Sequence, residues 1–255
     1  MTEAAAIETA TPASGAGAAV RAIGLRRTFG VGDAAVEALR GVDVTFPRGQ
    51  FAAVMGPSGS GKSTLMHLLA GLDAPTAGSV EIDERDITAM GDAELTRLRR
   101  DRIGFVFQFF NLLPMLTAEQ NVELPLKLAG RSAESGWVAR LLASVGLADR
   151  SRHRPSELSG GQQQRVAVAR ALVNKPAVVF ADEPTGNLDS KTSAEILEFM
   201  RQSTTEFGQT IVIVTHDARA AAIADRVVFL SDGLIVADRG HMTSDEILDQ
   251  IKSLE

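Results

Sequence analysis

Some residue types are absent or rare in this 255-residue chain. It contains no cysteine, no tyrosine, one tryptophan and five lysines. Without cysteine the protein cannot form disulfides, thiolate metal sites or a cysteine nucleophile. No apolar run approaches the ~18 residues of a membrane-spanning helix. We therefore expect any work at a membrane to depend on a partner.

The charge balance is acidic, with a net charge of −6. Proteins that bind nucleic acids usually present a basic surface, so we expect no nucleic-acid partner. Residues 1–20 are rich in alanine, threonine and glycine and contain no lysine or arginine. A secretory signal needs a basic start and an unbroken apolar segment, so we interpret residues 1–20 as a disordered tail. We accordingly expect a cytoplasmic location.

Strand-like and helix-like segments alternate from residue 51 onward. Buried strands are indicated at 51–55, 103–107, 177–181, 210–214 and 226–230, because these segments are short and apolar. Helical patterns lie between most of them. This alternation predicts an α/β domain with a mostly parallel sheet.

Three further segments surround that core. Residues 20–46 have the strand-and-turn pattern of a small N-terminal β lobe, which we expect to be antiparallel. Residues 112–157 change to helical spacing and predict an inserted helical lobe, and residues 241–255 predict a C-terminal helix. We expect most apolar residues of the inserted lobe, Trp137 among them, to form the lobe's own core.

The glycine-rich segment GPSGSGKST at 56–64 fits the phosphate-loop pattern G-x-x-x-x-G-K-[ST]. It follows the strand at 51–55 and begins a helix, which is the context that this pattern requires. Backbone N–H groups would hold the phosphates, Lys62 would neutralise them and Ser63 would bind Mg²⁺. A flexible glycine turn is the weaker alternative. The predicted ATP-binding residues are Gly56, Pro57, Ser58, Gly59, Ser60, Gly61, Lys62, Ser63 and Thr64.

Two acidic residues follow the strand at 177–181. Asp182 and Glu183 lie at its carboxyl end, where α/β sheets carry their ligand sites. Asp182 is suited to hold Mg²⁺, and Glu183 is suited to act as general base for an attacking water, worth ~10²–10⁴-fold in rate. A purely structural acidic turn is the alternative, and the phosphate loop in the same sheet disfavours it.

Polar residues also follow two other strands. His216 comes after the strand at 210–214 and can bond a γ-phosphate oxygen or the catalytic water, although a lone histidine is more often a structural cap. Gln108 comes after the strand at 103–107, and its neutral side chain can reach Mg²⁺ or water. Neither position establishes a function by itself.

The segment LSGGQ at 158–162 directly precedes a helix. The N–H groups of Ser159, Gly160 and Gly161 and the helix dipole together predict a second anion site. This site has no lysine of its own, and the phosphate loop lacks donors for the far side of a γ-phosphate. Each site is therefore incomplete by itself.

The order of these motifs resembles the nucleotide-binding subunit of ABC transporters. The resemblance covers about residues 21–240, which we take as one ATPase domain, and LSGGQ is the hallmark of the family. The segments at 108–126 and 181–190 resemble one branch, the lipoprotein-releasing, macrolide-export and cell-division ATPases. Members of that branch pair with a separate or fused membrane protein.

The resemblance implies a P-loop NTPase core and a role for each motif. Gly56–Thr64 becomes the Walker A loop, Asp182 the Walker B acid and Glu183 the catalytic base. Gln108 becomes the residue that links Mg²⁺ to the membrane partner, and His216 becomes the switch histidine. All five are of the residue type that the family requires, so the resemblance implies an active enzyme.

The resemblance also implies a homodimer. A head-to-tail pair of cassettes would sandwich two ATP molecules, and Asp189 would lie at the interface between the copies. The residues expected to contact the ATP bound by the other copy are Ser159, Gly160, Gly161 and Gln162.

One position departs from the family. Where the family often has a tyrosine that stacks on adenine, this chain has Phe29. Stacking needs only an aromatic face and is worth about 1–3 kcal/mol per base. We therefore expect Phe29 to contact adenine, with packing inside the β lobe as the alternative.

The segment that follows Gln108 is too apolar for a solvated loop, and exposed apolar patches usually mark contact sites. By resemblance it forms the groove that receives a helix of the membrane subunit. The residues concerned are Phe109, Phe110, Leu112, Leu113, Pro114 and Leu116.

We therefore predict an ATP-hydrolysing motor subunit at the cytoplasmic face of a membrane, which drives export, substrate extraction or force transmission. The alternative is a soluble ABC-type ATPase that acts on nucleic acid or ribosomes. Such relatives have long coiled coils or two cassettes in one chain, and this sequence has neither. A regulatory module without turnover is disfavoured by Glu183 together with His216, and a simple P-loop kinase would not explain LSGGQ.

Overall fold

The computed structural model describes residues 17–254. Its strands are β1 Ala18–Phe29, β2 Val36–Pro47, β3 Phe51–Met55, β4 Ala77–Ile82, β5 Arg85–Asp86, β6 Ile103–Phe107, β7 Val178–Asp182, β8 Ile211–Val214, β9 Arg226–Ser231 and β10 Leu234–Gly240. Its α-helices are α1 Lys62–Leu69, α2 Asp92–Arg102, α3 Ala118–Leu128, α4 Trp137–Ser144, α5 Gly160–Leu172, α6 Ser190–Phe207, α7 Ala218–Ala221 and α8 Ser244–Lys252.

The larger sheet has the strand order β10-β9-β3-β8-β7-β6. All of its pairs are parallel except the antiparallel pair of β9 and β10. Parallel strands need crossover connections, and the helices between them supply these. The predicted α/β core with a mostly parallel sheet is confirmed, and the carboxyl ends of the parallel strands lie at one edge.

The smaller sheet is the antiparallel lobe β2-β1-β4-β5, as predicted. Strand β1 begins at Ala18, whose pairing partner is Pro47, so the end of the segment expected to be a disordered tail belongs to this sheet. Its apolar residues Ala19 and Val20 are buried, which explains the difference. Residues 1–16 of that predicted tail lie outside the described residues.

Strand β3 runs through the middle of the core, and all five of its residues are buried. Successive side chains of a strand point to opposite faces. Phe51, Ala53 and Met55 accordingly belong to the cluster packed under α5 and α6. Ala52 and Val54 belong to the cluster beneath α1 and the β lobe. Burial on both faces explains why this segment is uniformly apolar.

The inserted lobe contains α3 and α4, but the expectation that it has its own core was wrong. Val122 and Leu141 belong to the same buried cluster as Ile213 of β8. The Trp137 Nε1–H group donates to the carbonyl of Val173 at 2.9 Å, just beyond α5. Two short amphipathic helices cannot cover each other's apolar faces completely, so α5 covers them and joins the lobe to the sheet.

The predicted C-terminal helix is α8, whose buried residue Ile247 belongs to that same cluster. Within residues 17–254, no helix combines the length and apolar character needed to cross a bilayer.

Candidate functional site

A cleft of about 570 Å³ opens at the carboxyl ends of β3, β7 and β8. It brings most of the predicted phosphate loop together with both acidic residues and the histidine. The lining residues are Ala38, Gly56, Ser58, Gly59, Gly61, Lys62, Ser63, Thr64, Asp182, Glu183, Val214 and His216.

The phosphate loop is shaped by glycines at its two ends. A Cβ atom on Gly56 would lie 1.9 Å from the carbonyl oxygen of Leu230, so no other residue allows β9 to approach so closely. Gly61 has a φ of 103° and precedes the first residue of α1. The Lys62 ammonium crosses the loop and donates to the carbonyls of Gly56 at 2.9 Å and Pro57 at 2.7 Å.

Two predicted phosphate-loop residues do not line the cleft. Ser60 is buried, and its carbonyl accepts a hydrogen bond from the N–H group of Gly233 at 3.0 Å. The Ser60 N–H group donates to the carbonyl of Pro57 at 3.3 Å. Pro57 and Ser60, the two residues outside the cleft, therefore shape the loop, and Ser60 joins it to the turn between β9 and β10.

The charged groups of the cleft influence one another. Burial lowers the pKa of Lys62, and the carboxylates of Glu183 and Asp182 partly offset that effect. Burial and then the charge of Glu183 raise the pKa of Asp182, while His67 and Lys62 act in the opposite direction. The cleft therefore combines a partly buried cation, which can neutralise phosphate charge, with two carboxylates, which can neutralise a metal ion.

Donors from the end of β8 orient the Glu183 carboxylate. Oε1 of Glu183 lies 2.7 Å from Nδ1 of His216 and accepts from the His216 N–H group at 3.1 Å. Oε2 accepts from the Thr215 hydroxyl at 3.1 Å. Glu183 itself has a φ of 45°, a left-handed backbone that its N–H bond to the Val214 carbonyl supports. The predicted general base is thus rigidly held at the cleft.

Gln108 is not among the residues that line the cleft. Its Nε2–H group donates to Oδ1 of Asn187 at 3.2 Å, and Nδ2 of Asn187 donates to the carbonyl of Gln108 at 2.9 Å. A Cβ atom on Gly186 would lie 2.9 Å from that same Nε2. The structure therefore pairs Gln108 with the loop after Glu183.

The LSGGQ residues also lie outside the cleft, at the start of α5. Ser159 and Gln162 form a capping box: the Ser159 hydroxyl accepts from the Gln162 N–H group, and Oε1 of Gln162 accepts from the Ser159 N–H group. The side chain of Gln162 is therefore occupied in holding the helix start. The N–H groups of Gly160 and Gly161 lie in the first turn of α5, where no carbonyl of the helix can accept their hydrogen bonds.

Phe29 ends β1 and leaves 43% of its surface exposed, so it is not packed inside the β lobe. The Arg27 guanidinium lies 4.6 Å from its ring centroid. Phe29 does not line the cleft, and its contact with adenine stays a prediction.

Asp189 caps α6, because its carboxylate accepts from the N–H groups of Lys191 and Thr192. Bonds from the hydroxyl and N–H of Thr192 lower the pKa of Asp189. The interface role predicted for Asp189 stays a prediction.

Sequence reasoning missed the roles of three polar residues. Thr215 is fully buried directly after β8, Asn187 holds Gln108, and the buried Gln164 donates to the carbonyls of Phe107 and Pro184. A polar residue inside the helical run that follows LSGGQ was the available signal for Gln164. The contacts of Thr215 and Asn187 depend on which strands are neighbours, which no local pattern reveals.

The fold and the phosphate-loop cleft define a P-loop nucleotide-binding protein. A sequence profile of the ABC transporter family matches residues 39–186. The chain belongs to the ABC transporter family.

Relatives in that family match most of this chain. It is 49% identical over 216 residues to the lipoprotein-releasing system ATP-binding protein LolD of Geobacter metallireducens, covering 84% of this chain and 96% of LolD. It is 50% identical over 233 residues to the macrolide export ATP-binding/permease protein MacB of Rhodopseudomonas palustris, covering 91% of this chain and 35% of MacB. The chain thus spans about a third of the length of such MacB relatives.

A solved structure has the same fold. The dimeric post-hydrolysis state of an ATP-binding cassette bound to ADP and Pi superposes with a TM-score of 0.78 at 43% identity, covering 88% of this chain and 99% of that one.

Proposed function

We propose that this chain is the ATP-hydrolysing motor subunit of an ABC transporter-type membrane complex. The observation that carries the proposal is the carboxylate of Glu183, held at the phosphate-loop cleft by Thr215 and His216. A carboxylate fixed in this way can accept a proton from water that attacks a γ-phosphate. LolD and MacB are named as ATP-binding components of release and export systems, which supports the same role here.

We include Mg²⁺ in this proposal because the cleft contains oxygen ligands of the kind that Mg²⁺ binds. Mg²⁺ prefers oxygen ligands and is usually held by one or two carboxylates together with phosphate oxygens. Ser63 and Asp182 both line the cleft and offer a hydroxyl and a carboxylate oxygen. When bound, the ion would supply electrostatic stabilisation of charge on the phosphates. Gln108, whose Nε2–H group donates to Asn187, would offer its Oε1 atom to the ion.

A second copy of the chain completes the site in this proposal. Gly160 and Gly161 carry first-turn N–H groups that suit an anion, but they lie outside the cleft of their own chain. A head-to-tail pair would bring these donors over the phosphate loop of the other copy. A related cassette of known structure is dimeric, which supports the pairing of two copies.

The membrane partner would bind a groove beside the loop that follows β6. This groove has a volume of about 480 Å³ and a mainly apolar lining that includes Phe105, Phe107, Leu124 and Leu128. Nearby, Phe109 is 74% exposed and Leu113 is 46% exposed. Apolar surface of this kind suits an apolar helix of an integral membrane permease. Bound to such a partner, the cassette would work at the cytoplasmic face of the membrane.

Phe110, which we expected to contribute to this surface, is half-buried and turned toward α5. A Cβ atom on Gly160 would lie 3.7 Å from its ring. Leu113 is therefore the better position for testing partner binding.

The test of the membrane role is Leu113→Glu in the native membrane, with Leu248→Glu on α8 as the matched control. Both leucines are 46% exposed, so the two variants carry the same change at equal exposure. We expect Leu113→Glu to lose co-purification with an integral membrane protein while the isolated cassette still binds ATP. We expect Leu248→Glu to keep both. Equal recovery of the partner with the two variants would contradict partner binding at the exposed surface that carries Phe109 and Leu113.

The alternative, a soluble ABC-type ATPase acting on nucleic acid or ribosomes, finds no support among the described residues. Their longest helix, α6, has 18 residues, about 27 Å, which is too short for an extended coiled-coil arm. The net charge of −6 also disfavours a polyanionic partner.

A further inference from the structure

Arg170, near the C-terminal end of α5, binds residues 108–113, which we call the groove loop. Its Nη1–H group donates to the carbonyl of Asn111 at 2.6 Å, and its Nη2–H group donates to the carbonyl of Phe110 at 2.8 Å. Phe110 and Asn111 have φ angles of 59° and 50°, a left-handed backbone that is uncommon for phenylalanine and more frequent for asparagine. The forked guanidinium thus stabilises a strained turn.

Arg170 has no carboxylate partner among the residues that the structure describes. Burial lowers the pKa of its guanidinium, and the two loop carbonyls accept its hydrogen bonds in place of water. Taking a cation out of water is unfavourable unless its donors are satisfied. The contact therefore places a partly buried cation at one turn of the groove loop, where the two carbonyls satisfy its donors.

Other contacts join this loop, and the residue directly before it, to the beginning and middle of α5. The ring of Phe110 lies beside Gly160, and the buried Gln164 donates at 3.4 Å to the carbonyl of Phe107, the last residue of β6. Gln164 also donates to the carbonyl of Pro184, the residue after Glu183. The groove loop is therefore attached to α5 from its first turn to Arg170.

The two ends of this attachment belong to different sites. Phe107, Asn111 and Arg170 line the groove proposed for the membrane partner. The first turn of α5 carries Gly160 and Gly161, proposed to contact the ATP of the other copy. At about 1.5 Å of rise per residue, the two sites lie roughly 15 Å apart on one continuous helix.

We propose that Arg170 is a positioning residue that fixes the groove loop to α5, so that the partner groove and the signature donors move as one body. The inference rests on the proposed function, because it assigns a mechanical link between the two interfaces named there. Arg170 itself touches neither nucleotide nor metal in this scheme.

The test uses hydrogen exchange of the groove loop in a Glu183→Gln background, where ATP should accumulate the dimer. The reporters are the Phe110 N–H group, bonded to the Phe107 carbonyl at 3.2 Å, and the Leu113 N–H group, bonded to Oδ1 of Asn121 at 2.8 Å. With Arg170 intact, we expect ATP to slow exchange at both amides. With Arg170→Ala, we expect exchange about tenfold faster and no response to ATP, because the loop is released from α5.

Two further variants separate positioning from general destabilisation. Arg165→Ala removes an arginine of the same helix that donates to the Val145 carbonyl at 2.9 Å, outside the groove loop. We expect Arg165→Ala to leave the ATP response of the groove loop intact. Arg170→Lys keeps the positive charge but loses the forked guanidinium that bonds both carbonyls. We expect this variant to retain part of the ATP response of the groove loop.

Kinetics in the wild-type background give a second readout. We expect Arg170→Ala to lower kcat about tenfold with less than about a twofold change in KM, because the donors of α5 are misplaced while the phosphate loop is intact. A groove loop in Arg170→Ala that still responds to ATP would overturn the inference. Failure of ATP to dimerise the Glu183→Gln protein would instead contradict the proposed function.

Discussion

Nδ1 of His216 lies 2.7 Å from Oε1 of Glu183, although the two residues are 33 positions apart in the chain. The contact exists because β7 and β8 are parallel neighbours, with Asp182 beside Val214. Just beyond these strand ends, the Glu183 carboxylate meets its hydrogen-bond donors, Thr215 and His216, at the mouth of the phosphate loop. Strand pairing therefore builds the arrangement that the proposed hydrolysis needs.

Replacing this carboxylate by an amide tests its role as general base. We expect Glu183→Gln to lower ATP hydrolysis by about 10²–10⁴-fold, because an amide cannot accept the proton of the attacking water. Binding of ATP should persist, because the phosphate loop is unchanged. Phosphate release and nucleotide titration measure the two effects, with Glu198→Gln on α6 as a surface control. Hydrolysis at the wild-type rate would rule out this assignment.

The hydroxyl of Thr215 can be tested without changing its volume much. Thr215→Val removes the donor to Oε2 of Glu183 inside a fully buried site. We expect kcat to fall about tenfold with little change in KM, because the carboxylate loses one of the bonds that orient it. Thr215→Ser keeps the hydroxyl and should retain most of the activity. The idea fails if the valine and serine variants have equal steady-state rates.

The pH dependence of metal binding should reflect the environment of Asp182. Burial and the charge of Glu183 raise the pKa of Asp182, so its protonated form persists to higher pH than for an exposed aspartate. Protons compete with Mg²⁺ for this carboxylate, and metal affinity should therefore fall as the pH drops through the raised pKa.

Carbon NMR of the Asp182 carboxyl group checks this directly in the nucleotide-free protein. Glu183→Gln removes the like charge, so we expect the pKa of Asp182 to move down. Glu123→Gln, on α3, should leave the Asp182 titration where it is. An unchanged or higher pKa of Asp182 in Glu183→Gln would show that Glu183 is not coupled to it.

The two signature glycines should differ in their tolerance of alanine. A Cβ atom on Gly160 would make only ordinary contacts, the nearest at 3.7 Å from Phe110, whereas one on Gly161 would lie 2.2 Å from Cγ2 of Thr192. We expect Gly160→Ala to fold with wild-type thermal stability and Gly161→Ala to lose stability. Thermal unfolding of both variants measures the difference.

Thr192→Ser removes the clashing methyl group and keeps the hydroxyl that bonds Asp189 at 2.6 Å. We therefore expect the double variant Gly161→Ala/Thr192→Ser to recover much of the lost stability. If the stability changes of the two single variants simply add in the double variant, the clash with Thr192 is not the cause of the lost stability.

The local elements of the site were predictable from the sequence. The phosphate loop is a short strand, a glycine turn and a helix in direct succession, and its residues interact mainly with each other. Ser159 and Gln162 form a capping box at a spacing of three residues, a pattern that local chemistry alone favours. The family inferred from the order of these motifs is confirmed.

Other expectations failed where packing between distant segments decides the outcome. The inserted lobe does not have a core of its own, because α5 covers the apolar faces of α3 and α4. Ala18 and the two residues after it, assigned to the tail by their composition, are strand residues because β2 offers them pairing partners.

By itself, the sequence determined which backbone segments form strands, helices and phosphate-binding turns, because those choices depend on periodicity, glycine positions and neighbouring residues. Only the tertiary structure decided that Thr215 and His216 hold Glu183, that Asn187 holds Gln108 and that Arg170 holds the groove loop. Each of these contacts joins segments far apart in the chain. Their partners are set by strand order and helix packing, which bring hydrogen-bonding groups together only after the common core has formed.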